Sequence, residues 1–278
     1  MHSRQLLKLV LAIALVAPLG ACKTVRTTQG GAVGVDREQT MSALVSTRQL
    51  EQGAVQAYRH ALTQAGQKGQ LNRDPALTSR VRAIAQRLIP HTGVFRQDAP
   101  GWNWEVNVIA SSEVNAWCMP GGKIAVYAGL VQKLDATDDE IAAVMGHEIS
   151  HALREHSRER ASQQAVQGTV INIGAALLGL GQVGSQLGGM VAQAMFGLPN
   201  SRTQESEADE MGVELAARAG YDPAAAINLW KKMAQATGGA SQPQWLSTHP
   251  SAESRIRDLE VYSKKVQPLY EQARAGRR

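Results

Sequence analysis

Apolar positions along the chain form one unbroken run, Leu9 to Leu19, and thereafter spaced sets. Arg4 and Lys8 precede the run, and Leu19-Gly20-Ala21-Cys22 closes it. A basic start, a short apolar stretch and small residues at its end read as a secretory signal over residues 1–21, too short for a spanning helix. Residues 22–36 are polar and glycine-rich and read as a flexible tether. From 37 the pattern predicts a single domain to residue 278. Met41, Leu44, Val45 and Leu50 share a helical face within 37–66, and a second helix fits 75–89, between Asp74-Pro75 and Pro90. Trp104, Val106 and Val108 alternate with Glu105 and Asn107, a strand pattern over 102–110. Residues 115–119 and 123–127 flank Pro120-Gly121-Gly122 and predict a hairpin. From Asp138 the pattern is helical almost to the end, with breaks at Gly220, Pro223 and Pro250. The predicted fold class is α+β, predominantly helical, with a small antiparallel sheet.

Residues 161–201 carry no charge at all. Asn172, Gln182, Ser185, Gln186 and Gln193 interrupt the stretch, and each half is too short to cross a bilayer. A buried helical hairpin is favoured over membrane insertion, and shallow membrane contact or a lid over the site ranks between them.

Composition changes little in this picture. The 278 residues are 44% hydrophobic, 19% charged and only 4% aromatic, which excludes disorder and a multi-span membrane protein and suits packed helices. The net charge of +5 raises nucleic acid as a partner. Arg4 and Lys8 belong to the signal, however, and Arg274, Arg277 and Arg278 cluster at the end. No basic stripe interleaved with aromatics is left, so nucleic acid is excluded. The two cysteines exclude a disulfide scaffold. Leu19-Gly20-Ala21-Cys22 resembles a bacterial lipobox, in which Cys22 is lipidated and anchors the chain to a membrane. Lys23 in place of an acid makes the outer membrane, facing the periplasm, the expected address. Cys118 is then alone and expected to be a small packed side chain.

The chemistry lies in His147-Glu148-Ile149-Ser150-His151, an H-E-x-x-H on a helical pattern led by Ile141, Val144 and Met145. Residues four apart on a helix share a face, so two imidazoles can hold one metal ion, and Glu148 beside them can take a proton from an activated water. A catalytic zinc usually takes three protein ligands. On the acidic helix 205–210, Glu205 and Asp209 share a face while Glu207 points away. Glu205 is the expected third ligand, with Asp209 orienting a ligating histidine. His156, nine residues from His147, falls on the opposite side of an unbroken helix and is not expected to join the metal. His60 and His91 stand alone.

Together with Glu205-x-Glu207-Ala208-Asp209, Thr248-His249-Pro250 and Arg255, the H-E-x-x-H resembles the HtpX/Ste-type gluzincin metallopeptidases, in the soluble lipoprotein branch with LoiP- and Oma-like enzymes. Asn115-Ala116-x-x-x-Pro120-Gly121-Gly122 and Gly220-Tyr221-Asp222-Pro223 fit the same family, and the resemblance spans roughly residues 40–262. It implies a gluzincin fold, endopeptidase activity with one Zn2+ per chain, Glu205 as third ligand, and a strand containing Asn115, Ala116, Trp117, Cys118 and Met119 beside the substrate cleft. His249 is then either an oxyanion stabiliser or a fourth ligand in the resting enzyme; the plainer alternative is a helix cap ahead of Pro250. Arg255 can pair with Asp209 or a substrate carbonyl, or stand on the surface. The expected function is peptide hydrolysis in unfolded or misassembled envelope proteins, with Glu148 as general base. A non-proteolytic chaperone or scaffold, and an esterase or amidase, are the rival readings. Oligomeric state is not legible.

Overall fold

The computed structural model describes residues 22–43, 45–164, 197, 199–236, 244–249 and 253–276. The expected signal 1–21 and most of the uncharged stretch 161–201 lie outside the described residues. No helix among the described residues is long and apolar enough to cross a membrane.

The first elements correct the sequence reading. Strand β1 (Cys22–Val25) pairs antiparallel with β2 (Gln39–Ser42), Cys22 opposite Ser42 and Val25 opposite Gln39. Between them Thr28, Val33 and Val35 are buried. The Val33 amide donates to Glu214 at 2.9 Å, and Lys265 donates to the Val33 carbonyl at 2.7 Å. The stretch 22–36 is therefore a fixed wrap, not a flexible tether. Its polar groups look solvated along the sequence because their partners lie far away in it. The helix expected from 37 begins only at Thr47, as α1 (Thr47–Gln67), because residues 39–42 form β2.

Helix α2 (Pro75–Leu88) is capped by Asp74, which accepts from the Leu77 amide, and carries Pro75 at its first position. Strands β3 (Glu105–Ile109), β4 (Ala116–Met119) and β5 (Lys123–Tyr127) form a sheet in the order β3-β5-β4. The β4–β5 hairpin is antiparallel as expected, its turn made by Gly121 and Gly122 at φ of 78° and 80°. The third strand joins β5 in parallel, so the sheet is mixed. This order leaves β4 at the edge.

After a short helix α3 (Ala128–Lys133), α4 (Asp138–Leu153) runs through the centre of the molecule. Thr137 and Glu140 form a capping box at its start, and every residue from Glu140 to Leu153 is buried. Helix α5 (Arg202–Arg218), opened by a Ser201–Gln204 capping box, crosses it, and α6 (Ala225–Ala236), α7 (Gln244–Thr248) and α8 (Glu253–Ala275) follow among the described residues. The crossing is unusually close. A Cβ on Gly146 would stand 2.7 Å from the Gly212 carbonyl, and one on Gly212 would stand 2.8 Å from the His147 amide. Two glycines thus bring the α5 acids within reach of the α4 histidines.

Candidate metal centre

His147 and His151, one turn apart on α4, point their Nε2 atoms at each other across 3.0 Å. Glu205 descends from α5 with Oε2 3.6 Å from His147 Nε2 and Oε1 3.4 Å from His151 Nε2. His249 arrives just after α7. One ligand atom from each of these four buried residues lies within 4.8 Å of the others. Ligands about 2.1 Å from a tetrahedral ion are about 3.4 Å apart, so the spacing of the first three matches a shared metal.

Hydrogen bonding fixes the tautomers. His147 Nδ1 is 2.9 Å from Asp209 Oδ1. Arg255 donates to both oxygens of that carboxylate, Nε to Oδ2 and Nη2 to Oδ1, at 2.7 Å each. Burial works against the Asp209 charge, but Arg255 and His147 hold its pKa below the usual carboxylate value. Asp209 is thus an acceptor, and His147 Nδ1 carries the proton. His151 Nδ1 is 2.7 Å from His156 Nδ1, whose other nitrogen is 2.9 Å from Glu207 Oε2. Burial opposes the Glu207 charge as well, yet His156 and Arg37 hold that carboxyl at about 2. Burial holds His156 itself at about 4, hence neutral. His156 therefore donates from Nε2 to Glu207 and accepts at Nδ1 from His151. Both metal-facing Nε2 atoms then present lone pairs.

Two lone pairs 3.0 Å apart call for a positive charge between them. Burial opposes charge on His147, but Asp209 and Glu205 raise its pKa; burial together with His147 and His156 holds His151 well below the usual value. The site thus favours one cation. Glu205 indicates which kind, because its buried Oε1 has no hydrogen-bond partner. Arg255 Nη1 pairs with Oε2 at 2.5 Å. Oε1, 3.4 Å from His151 Nε2, is an acceptor suited to a metal. Two or three imidazoles and one carboxylate form a zinc-type donor set, so the residues fit that ion.

Glu148 is buried beside this group, its Oε1 3.4 Å from His249 Nε2. His249 Nδ1 is 2.9 Å from the Thr248 hydroxyl, and the Asn200 amide donates to the Thr248 carbonyl at 2.9 Å. A cleft opens over these groups. Asn115, Ala116, Trp117 and Cys118 line one side, Glu148, His151 and His249 the base, and Arg160 and Asn200 another side. Met119, the last of the expected substrate-strand residues, instead packs with Ala54 and Tyr58 away from the cleft. Burial pushes the Cys118 thiol pKa well up, and Glu148 adds to the shift, so it stays protonated. Cys22 opens β1 and is half-buried.

The sequence reading missed His156, Glu207, Asn200 and Arg160. It placed His156 on an unbroken helix, whereas α4 ends at Leu153 and Glu155 takes a left-handed φ of 53°, which swings His156 back onto His151. The run from Arg154 to Arg160 alternates charges like a solvated face, yet Arg154 is fully buried. Its guanidinium donates to Glu207, Thr28 and the Arg37 carbonyl.

The family model for Peptidase family M48 matches residues 75–263. The chain is 32% identical to the mitochondrial metalloendopeptidase OMA1 of Schizosaccharomyces pombe over 215 residues, 77% of this chain and 61% of the relative. It is 37% identical to the Arabidopsis thaliana OMA1 over 182 residues, 64% of this chain and 36% of the relative. Against the β-barrel assembly-enhancing protease of Escherichia coli it is 29% identical over 208 residues, 72% of this chain and 42% of that protein. The matched region thus spans about a third to three fifths of these relatives' own length.

Proposed function

This chain belongs to peptidase family M48, and from that premise we propose that it is a zinc metalloendopeptidase acting on extended or unfolded polypeptide. One observation carries the reading: two imidazoles with fixed tautomers and a buried carboxylate whose Oε1 has no hydrogen-bond partner converge beside a buried Glu148. One zinc per chain would be held by His147, His151 and Glu205. His249, whose ligand atom lies within 4.8 Å of the other three, fits a fourth ligand in the resting arrangement better than a helix cap. Bound zinc supplies Lewis acidity, polarising a carbonyl and making water a stronger acid.

The remaining steps belong to the chain's own groups. Glu148 takes a proton from water as its oxygen bonds to the scissile carbonyl carbon. The same carboxyl returns that proton to the amide nitrogen as the C–N bond breaks. Asp209 and His156 hold the ligating rings so that neither turns during the reaction. Strand β4 is both an edge of its sheet and a wall of the cleft, so substrate can align along it by strand addition, which reads backbone more than side chains.

The address is inferred from the N-terminus. Arg4, Lys8, the apolar run and Leu19-Gly20-Ala21-Cys22 favour a lipid on Cys22 and a position on the periplasmic side of the outer membrane. Unfolded or misassembled envelope proteins are then the substrates within reach, a class in keeping with the likeness to the Escherichia coli β-barrel assembly-enhancing protease. Since residues 22–36 are packed, the lipid would join the domain almost directly.

Two experiments test the reading. 1,10-Phenanthroline should abolish hydrolysis of casein by the purified protein, and zinc should restore it. Labelled palmitate should enter the full chain in bacterial cells and not its Cys22→Ser variant. Hydrolysis that persists without metal overturns the zinc mechanism, and equal labelling overturns the anchor.

A further inference from the structure

We propose that Asn200, held by Arg160, donates a hydrogen bond to the scissile carbonyl oxygen as that atom gains negative charge. The proposal rests on the protease reading above. With His249 placed among the metal ligands, a donor from the chain aimed at the developing oxyanion would add to the polarisation that bound zinc would supply, and preorganised donors of this kind are usually the largest contribution in such a site.

Asn200 meets the geometric requirements. It is buried, it lines the cleft with Glu148, His151 and His249, and it faces the cleft from a different element than β4. Its carboxamide orientation is determined by chemistry. Arg160 Nη1 donates to Asn200 Oδ1, and since a guanidinium has only donors the oxygen must face Arg160. The NH2 end therefore points the other way, with Nδ2 3.5 Å from His151 Nε2. That separation is long for a hydrogen bond, and His151 Nε2 is one of the atoms that would hold the metal. The amide protons are thus presented to the space beside the metal ligands, where a substrate carbonyl must lie.

The position is also rigid. The Asn200 backbone N–H donates to the Thr248 carbonyl at 2.9 Å, next to His249. Ser201, the following residue, caps the helix that carries Glu205. Asn200 is therefore held in register with both the third and the fourth ligand. Arg160 lies 3.4 Å from Gln204 on that same helix, and it adds a positive charge behind the amide. Oxygen of an Asp at position 200 would keep the contact with Arg160 while replacing the donor by an acceptor.

The test uses the zinc-loaded full-length protein as wild type, Asn200→Ala, Asn200→Asp and Glu148→Gln. Casein turnover, bound zinc and the affinity of a phosphinic tripeptide, a mimic of the tetrahedral carbon, are measured on each. Removal of one oxyanion donor costs about 100-fold or more in kcat. Both Asn200 variants should show that loss, with KM changed less than about threefold, one zinc retained, and phosphinic affinity lowered in proportion to kcat. Wild-type kcat in both variants, a change confined to KM, or loss of zinc along with activity each overturns the proposal. If wild type fails to cleave, or Glu148→Gln cleaves equally well, the protease reading itself falls and takes this role with it.

Discussion

His151 and His156 meet Nδ1 to Nδ1 at 2.7 Å, and this contact decides which nitrogen of His151 faces the metal. Glu207 fixes His156 as a donor on its far side, so His156 accepts from His151 and leaves its Nε2 lone pair toward His147 and Glu205. Arg37, just after the N-terminal wrap, holds the far end of this chain, its Nε 2.5 Å from Glu207 Oε1.

Loss of this support should loosen the metal without removing it. His156→Ala is expected to lower zinc affinity about 10- to 100-fold, the usual range for the outer partner of a ligating histidine. Competition against a chromogenic chelator reads the effect. Unchanged affinity would show that His156 only fills space.

Glu205 carries a heavier consequence. Glu205→Ala should abolish stoichiometric zinc and with it the stabilisation that metal confers on the folded state. With zinc at about 1,000 times its Kd, that stabilisation is about 4 kcal/mol. Chelator should therefore lower the melting temperature of wild type by several degrees and leave Glu205→Ala unmoved. A chelator-sensitive Glu205→Ala would place the third ligand elsewhere.

The helix crossing tolerates no side chain. Gly212→Ala puts a methyl 2.8 Å from the His147 amide, backbone that cannot step aside cheaply. Overpacking of this kind costs about 1–3 kcal/mol. The urea midpoint should fall accordingly and zinc affinity should drop with it, since the two helices carry the ligands between them. A midpoint equal to wild type would contradict so close a crossing.

Acid should undo the wrap. Burial opposes the Glu159 charge, but hydrogen bonds from Arg37, Gln204 and Gln39 hold its carboxyl at about 2 in the folded protein, against about 4.3 unfolded. A folded pKa below the unfolded one contributes stability that is complete above about pH 5 and is lost as pH falls toward 2. Glu159→Gln should be less stable than wild type at neutral pH, and the gap should close across that interval. A gap of constant size, read from urea midpoints, would remove Glu159 from the account.

What the sequence showed follows from how local each signal is. The helix of His147 and His151, its capping acids, the Pro120-Gly121-Gly122 turn and the Glu205–Asp209 face all depend on neighbours a few residues apart, and each was legible. Asp209 could be assigned to a ligating histidine because an H-E-x-x-H site demands such a partner, whereas Arg255 stayed open between Asp209, a substrate carbonyl and the surface until the fold placed it on Asp209. The wrap over 22–36 was read as a tether because Thr28 and Val33 find their partners on Arg154, Glu214 and Lys265, which no local pattern announces. His156 was misplaced for a related reason: a left-handed Glu155 ends the helical count, and nothing in Arg154-Glu155-His156 marks the break. Asn200 gave no signal, standing alone beside a helix cap.

The most direct test of the central claim measures bound zinc and casein hydrolysis on the same preparations of wild type and Glu148→Gln. A base that is not a ligand predicts one zinc per chain in both proteins, with hydrolysis in wild type and a loss of at least about 100-fold in the variant. Equal hydrolysis by the two proteins, or loss of zinc in Glu148→Gln, would contradict the roles assigned to Glu148 and its neighbours.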